Sequence, residues 1–120
     1  MPQITVEWSG NLAVFDAGAF ARQIHLRLGE HADAALATCK TRLVRHDAFL
    51  VAGGDPAGGF IHVDLRILPG RSAQQKQRLG AAVLTDLEQA VAHAAGYDLQ
   101  LTVEVRELDG DNYHKRRLSP

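Results

Sequence analysis

One pattern occurs twice along this chain: an alternating strand, a helix followed by glycine, and a second alternating strand. In the first unit, residues 3–8 (Gln-Ile-Thr-Val-Glu-Trp) alternate polar and apolar, and Ser9-Gly10-Asn11 makes a turn. Phe20, Ile24 and Leu28 share one face of a predicted helix over 16–28, with Gly29 where a left-handed cap is favoured. Residues 37–46 then alternate, with Lys40, Arg42 and Val44 on one face and Cys39, Thr41 and Leu43 on the other. The second unit opens at 60–68, where Ile61, Val63, Leu65 and Ile67 oppose His62, Asp64 and Arg66. After Pro69-Gly70-Arg71, Ser72 and Gln75 fit a capping box. The helix stripe is Leu79, Val83, Leu87, Ala90, Val91 and Ala94, closed by Gly96, and 99–106 is the fourth strand.

The units span about 2–47 and 60–108. The Gly-rich turn at 52–59 between them is too short for an interdomain linker. Crossovers of this kind are right-handed and join parallel strands, so each unit pairs its own two strands in parallel. The predicted fold is therefore α+β. It is one domain, 1–120, of order β-α-β-β-α-β, with a four-stranded sheet and both helices on its apolar face.

Length bears on what such a sheet can do alone. A chain of 120 residues buries a modest core, and oligomerisation is a ready source of further buried area. The net charge of −1 gives no global attraction to nucleic acid or to a membrane surface. The single Cys39 excludes an intrachain disulfide, and the six histidines have no metal-ligand spacing. With no secretory or long apolar segment, the chain reads as cytoplasmic. The basic run Lys115-Arg116-Arg117 reads as solvated.

The other sheet face is charged. Glu7, Lys40, Arg42, His62, Asp64, Arg66, Glu104 and Arg106 all fall on it. Such a face is either solvated or turned toward copies of itself in an oligomer, with charges pairing across the interface.

Two features carry chemistry. Pro2 follows Met1, whose removal ahead of so small a residue would leave a secondary amine at the mouth of strand one. Proline also opens a strand without losing a ladder bond. Farther along, Gly70 turns the chain and Arg71 precedes a capped helix N-terminus, where a guanidinium and the helix dipole both favour a carboxylate.

These residues carry a resemblance. Met1-Pro2 leading into Ile4-Thr5-Val6-Glu7, with Ile67-Leu68-Pro69-Gly70-Arg71-Ser72 and Gln75-Lys76, looks like the tautomerase superfamily. The second unit resembles a 4-oxalocrotonate tautomerase monomer. The whole chain resembles the 5-carboxymethyl-2-hydroxymuconate isomerase family, in which two such units are fused. Ser9-Gly10-Asn11, Phe60-Ile61-His62-Val63 and Asn112-Tyr113-His114-Lys115 fit that pattern.

The resemblance implies a homotrimer whose sheets form a barrel, with sites at subunit boundaries and with neither metal nor organic cofactor. It implies a small carboxylic acid as substrate, no nucleic acid and no membrane. Pro2 is then the base that isomerises a 2-hydroxymuconate-type acid in homoprotocatechuate breakdown, and Arg71 binds a substrate carboxylate. Burial and a nearby cation would both lower the amine's pKa from its usual value near 8 toward neutrality, where a base is effective. The family's first unit supplies arginines two residues apart, and this chain has Lys40-Thr41-Arg42 in that place. Lys40 is a point charge and cannot bind a carboxylate with two prongs, so Arg42 or Arg45 is an alternative partner.

Other readings stay open. A hydratase or dehalogenase of the same superfamily acts on shorter unsaturated acids and needs a carboxylate to help water, a part that Glu7 or Glu104 could play. A catalytically silent trimer acting in binding or assembly is also compatible with Lys40. A ferredoxin-like RNA-binding module shares the element order, but it places aromatics on its central strands, whereas here the fourth strand has none and the third only Phe60 at its edge.

Overall fold

The computed structural model describes residues 2–120. Strand β1 spans Gln3–Ser9, helix α1 Ala17–Ala32, strand β2 Lys40–His46, strand β3 Gly58–Ile67, helix α2 Ala73–Ala90 and strand β4 Asp98–Glu107. The sheet order is β2-β1-β3-β4. β1 pairs with β2 in parallel, and so does β3 with β4, as right-handed crossovers require. The units join through the antiparallel β1–β3 pair, where Gln3 faces Arg66 and Trp8 faces Ile61.

Both helices cover one face of this sheet. Ile4 and Val6 of β1, with Ile61, Val63, Leu65 and Ile67 of β3, meet Phe20, Ile24 and Leu28 of α1 and Leu79, Val83 and Leu87 of α2 in one buried cluster. Each large aliphatic in it contributes about 2–5 kcal/mol against truncation to alanine. Trp8 packs edge-on to Phe15 within the same chain, with ring centroids 5.4 Å apart. Between the helices Arg27 forks onto Asp86, Nε to Oδ2 at 2.8 Å and Nη2 to Oδ1 at 3.0 Å.

The element ends depart from the sequence reading. α1 runs through Gly29 and stops at Ala32, because Asp33 takes the left-handed conformation and its N–H bonds back to Leu28 O. Aspartate tolerates that conformation better than most side chains. Residues Leu36–Thr38 form a 3₁₀ turn, so β2 begins at Lys40 and not at 37. α2 stops at Ala90, and Gly96, with φ +90°, belongs to the turn that follows. Val91 and Ala94 still pack on the core from that turn. The capping box is present: Ser72 Oγ accepts the Gln75 N–H at 3.1 Å and Gln75 Oε1 accepts the Ser72 N–H at 2.8 Å.

Candidate active site

Pro2 sits where β1 enters the sheet, and its side chain is fully buried. Its carbonyl accepts the Lys40 N–H at 3.4 Å. Because Gln3 faces Arg66, Pro2 lies alongside the Ile67–Leu68 end of β3. The expected removal of Met1 concerns a residue outside the described ones. Proline serves this position because the first residue of a strand has no ladder donor to lose.

Lys40 faces Gln3 and Arg42 faces Thr5, so both project from the charged sheet face, as their two-residue spacing requires. Lys40 Nζ donates to the Thr38 carbonyl. Arg42 Nη1 donates to Gln3 Oε1. Arg45, the alternative partner, faces Trp8 at the far end of β1 and donates to the Gly10 carbonyl at 3.2 Å. It is therefore not gathered with Pro2, Lys40 and Arg42.

Arg71 is the fourth residue beyond β3, after Gly70 turns the chain at φ +115°. A residue with a side chain adopts that backbone angle only with strain. The guanidinium swings away from the α2 N-terminus toward the end of α1. Nε donates to Ala32 O at 2.8 Å and Nη1 to Leu68 O at 3.4 Å. The dipole that Arg71 meets is thus the negative end of α1, where a cation is stabilised. Two carbonyls fix its position, and Nη2 has no protein acceptor among the described residues.

The charged face is organised around Asp64, which is nearly buried. Arg106 contacts it twice, Nε to Oδ1 at 3.1 Å and Nη2 to Oδ2 at 3.0 Å, and Arg66 Nε reaches Oδ2 at 2.9 Å. Burial pushes the Asp64 carboxyl upward, but the two guanidinium groups outweigh it and hold the acid below its ordinary range. The same contacts raise Arg106. The carboxylates weighed as helpers of water are placed elsewhere. Glu7 bonds His46 Nε2 at 2.8 Å toward the far end of β1, and Glu104 lies 3.9 Å from Arg106. His62 pairs with Thr102 Oγ1 at 2.7 Å, a structural bond between β3 and β4. Among the described residues no cluster of three His, Cys, Asp or Glu side chains is placed to hold a metal. No helix is long and apolar enough to cross a membrane.

Sequence reasoning missed the chain end. After β4, Gly110–Asn112 makes a 3₁₀ turn and the chain runs back over the start of β1, where Gln3 Nε2 donates to Tyr113 Oη at 2.8 Å. This brings His114, Lys115, Arg116 and Arg117 to a cleft of about 690 Å³ shared with Gln3 and Lys40. The available signal was Tyr113 directly before a basic run: an aromatic anchor makes a terminal segment into a strap.

Two βαβ units sharing one four-stranded mixed sheet, with both helices on one face, make the tautomerase fold. The family profile of 5-carboxymethyl-2-hydroxymuconate isomerase matches residues 2–118. The chain belongs to that family. A crystal structure of a 5-carboxymethyl-2-hydroxymuconate isomerase from Deinococcus radiodurans R1 superposes with a TM-score of 0.89 at 24% identity, covering 98% of this chain and 90% of that one. A 5-carboxymethyl-2-hydroxymuconate delta-isomerase gives 0.76 at 19% identity, covering 99% and 89%. A fused 4-OT that forms a symmetric trimer gives 0.74 at 15% identity, covering 95% and 93%. No curated protein sequence matches the chain.

Proposed function

We propose that the amine of Pro2, freed by removal of Met1, is the general base of a cytoplasmic isomerase that moves a proton and a double bond within a 2-hydroxymuconate-type acid. The observation that carries this reading is the placement of Pro2. It is buried at the end of β1 where Lys40 is bonded to its carbonyl, and β3 leads from beside it to Arg71. The amine takes the proton from the 2-hydroxyl, the electron pair shifts along the conjugated chain, and the proton returns to a carbon farther on. Negative charge grows on the 2-oxygen and the C1 carboxylate during the shift. Arg71, with Nη2 directed by its two carbonyl bonds, binds that carboxylate, and Lys40 and Arg42 supply cations from β2. No external cofactor is needed, because the proton lost and the proton gained balance.

The same reading includes a homotrimer in which charged sheet faces close into a barrel. The fused 4-OT relatives are trimers, and β2 leaves Leu43 and Val44 exposed on the sheet edge, with Phe49 and Leu50 just beyond it. An exposed edge with apolar residues is a pairing surface.

The test is ultraviolet-monitored turnover of 5-carboxymethyl-2-hydroxymuconate by protein whose free Pro2 is verified by mass. Pro2→Ala and a Met1-retaining form are assayed beside it. The Met1-retaining form, whose proline nitrogen is an amide, is expected to lose about 10²- to 10⁴-fold in kcat, the usual range for removing a general base. Pro2→Ala, which keeps a primary amine on a less constrained terminus, is expected to lose less. Full activity in the Met1-retaining form would overturn the assignment, since an amide nitrogen is not basic.

A further inference from the structure

The cleft between the strap and the start of β1 is strongly one-signed. Lys40 comes from β2, and Lys115, Arg116 and Arg117 from the strap. No carboxylate lines it, and none of these four cations makes an ion pair among the described residues. The chain as a whole carries a net charge of −1, so this concentration of positive charge is local.

The strap is also folded. The Leu108 N–H bonds to Ile67 O at 2.8 Å, Asp109 accepts from Asp111 N and Asn112 Nδ2, and Tyr113 is bonded by Gln3. Gln3 holds Arg42 through its other amide atom, so one side chain fixes both the strap and a cation of β2. Holding four like charges around one cleft costs free energy that an anionic ligand returns, and guanidinium groups match a carboxylate in two-pronged geometry.

We propose that the strap is a specificity element of the site. Lys40, Arg116 and Arg117 bind a carboxylate remote from the reacting carbon, so the enzyme selects acids carrying two or more carboxylates over monocarboxylates. The proposal rests on the isomerase reading for its substrate, while the binding site itself does not depend on it. Lys40, placed between Pro2 and the strap, connects the base with the remote carboxylate.

The test compares kcat/KM for 5-carboxymethyl-2-hydroxymuconate with that for phenylenolpyruvate, a monocarboxylate enol, in the wild type, the Arg116→Gln/Arg117→Gln variant and the Arg116→Lys/Arg117→Lys variant. The glutamine variant is expected to lower the tricarboxylate-to-monocarboxylate ratio at least about tenfold, through KM, and the lysine variant to restore most of it. A ratio within about twofold of wild type would overturn the proposal, as would equal losses for both acids. In parallel, titration calorimetry follows propane-1,2,3-tricarboxylate, which does not react. If neither enol turns over, the isomerase reading fails and the titration decides the strap. Binding weakened about tenfold by the glutamine variant sustains it, and unaltered binding overturns it.

Discussion

Arg71 Nε lies 2.8 Å from the carbonyl oxygen of Ala32, so the arginine that precedes the second helix closes the end of the first. One guanidinium thereby ties the two units together. Arg71→Ala should lower unfolding stability by about 1–2 kcal/mol, the range for a charged donor lost from partly exposed carbonyls. It should also raise KM for the substrate. Arg71→Lys should recover only part of each, because an ammonium cannot hold two carbonyls and a carboxylate in one plane. Urea unfolding and steady-state kinetics on the same preparations check both effects. An unchanged stability would show that the Ala32 contact contributes nothing in solution.

The Asp64 cluster gives a prediction in acid. The folded-state pKa of Asp64 lies below its unfolded value, so the carboxylate's stabilising effect is complete above the ordinary range near about pH 4. It is lost as pH falls through the lowered folded value. The stability gap between wild type and Asp64→Asn should therefore be level from about pH 5 to 7 and shrink below about pH 4. Removing the carboxylate also leaves Arg66 and Arg106, neighbours across β3 and β4, facing each other without a counter-charge. A gap that stayed constant down to pH 3 would mean that Asp64 does not titrate with folding.

His25 acts in a higher window. Burial lowers its pKa below the ordinary value of 6.5, and its Nε2 lies 2.7 Å from Thr41 Oγ1, linking α1 to β2. A histidine held neutral in the fold stabilises above about pH 6.5, and that contribution fades as pH falls through the lowered folded value. His25→Gln keeps a hydrogen-bonding group without the titration. The wild-type advantage over His25→Gln should thus decline between about pH 7 and pH 5, measured by thermal or urea unfolding. An advantage that grew toward acid would reverse the sign and refute the assignment.

How far the sequence reached depends on what each signal encodes. Period-two and period-four patterns mark burial, so the six main elements, the helix-covered face and the capping box at Ser72 were legible. Helix ends were not, because they turn on single backbone angles. Gly29 offers a left-handed cap, yet Asp33 takes it, where its own N–H and that of Ala34 both bond back to Leu28 O. Lys40 and Arg42 shared a face as their spacing demanded. Arg71 was legible as a residue but not in its direction. Its reach to Ala32 is a contact across 39 positions, which no local pattern contains. Lys115, Arg116 and Arg117 are exposed, as the sequence reads, but the path that brings them beside β1 depends on Gln3 bonding Tyr113, 110 positions away, which no local pattern contains either.

The junction of the two units supplies a coupled prediction. Ser9 is fully buried, and its Oγ accepts the Phe60 N–H at 3.0 Å, which is how the end of β1 satisfies the opening of β3. Ser9→Ala leaves that partly buried N–H without a partner, at a cost of about 1–3 kcal/mol. Next to it, a Cβ on Gly59 would stand 3.0 Å from Leu99 Cδ2 and 3.1 Å from both Leu12 Cδ2 and Ser9 Oγ. Gly59→Ala should therefore destabilise by overpacking, again by about 1–3 kcal/mol. The two changes share one atom, since removing Ser9 Oγ also removes one of the three close contacts. The double variant should lose less stability than the sum of the single variants, by more than about 0.5 kcal/mol. A double-mutant cycle from urea unfolding measures this directly. Strict additivity would mean that Gly59 is required by Leu12 and Leu99 alone, and that the serine bond and the glycine packing are independent devices.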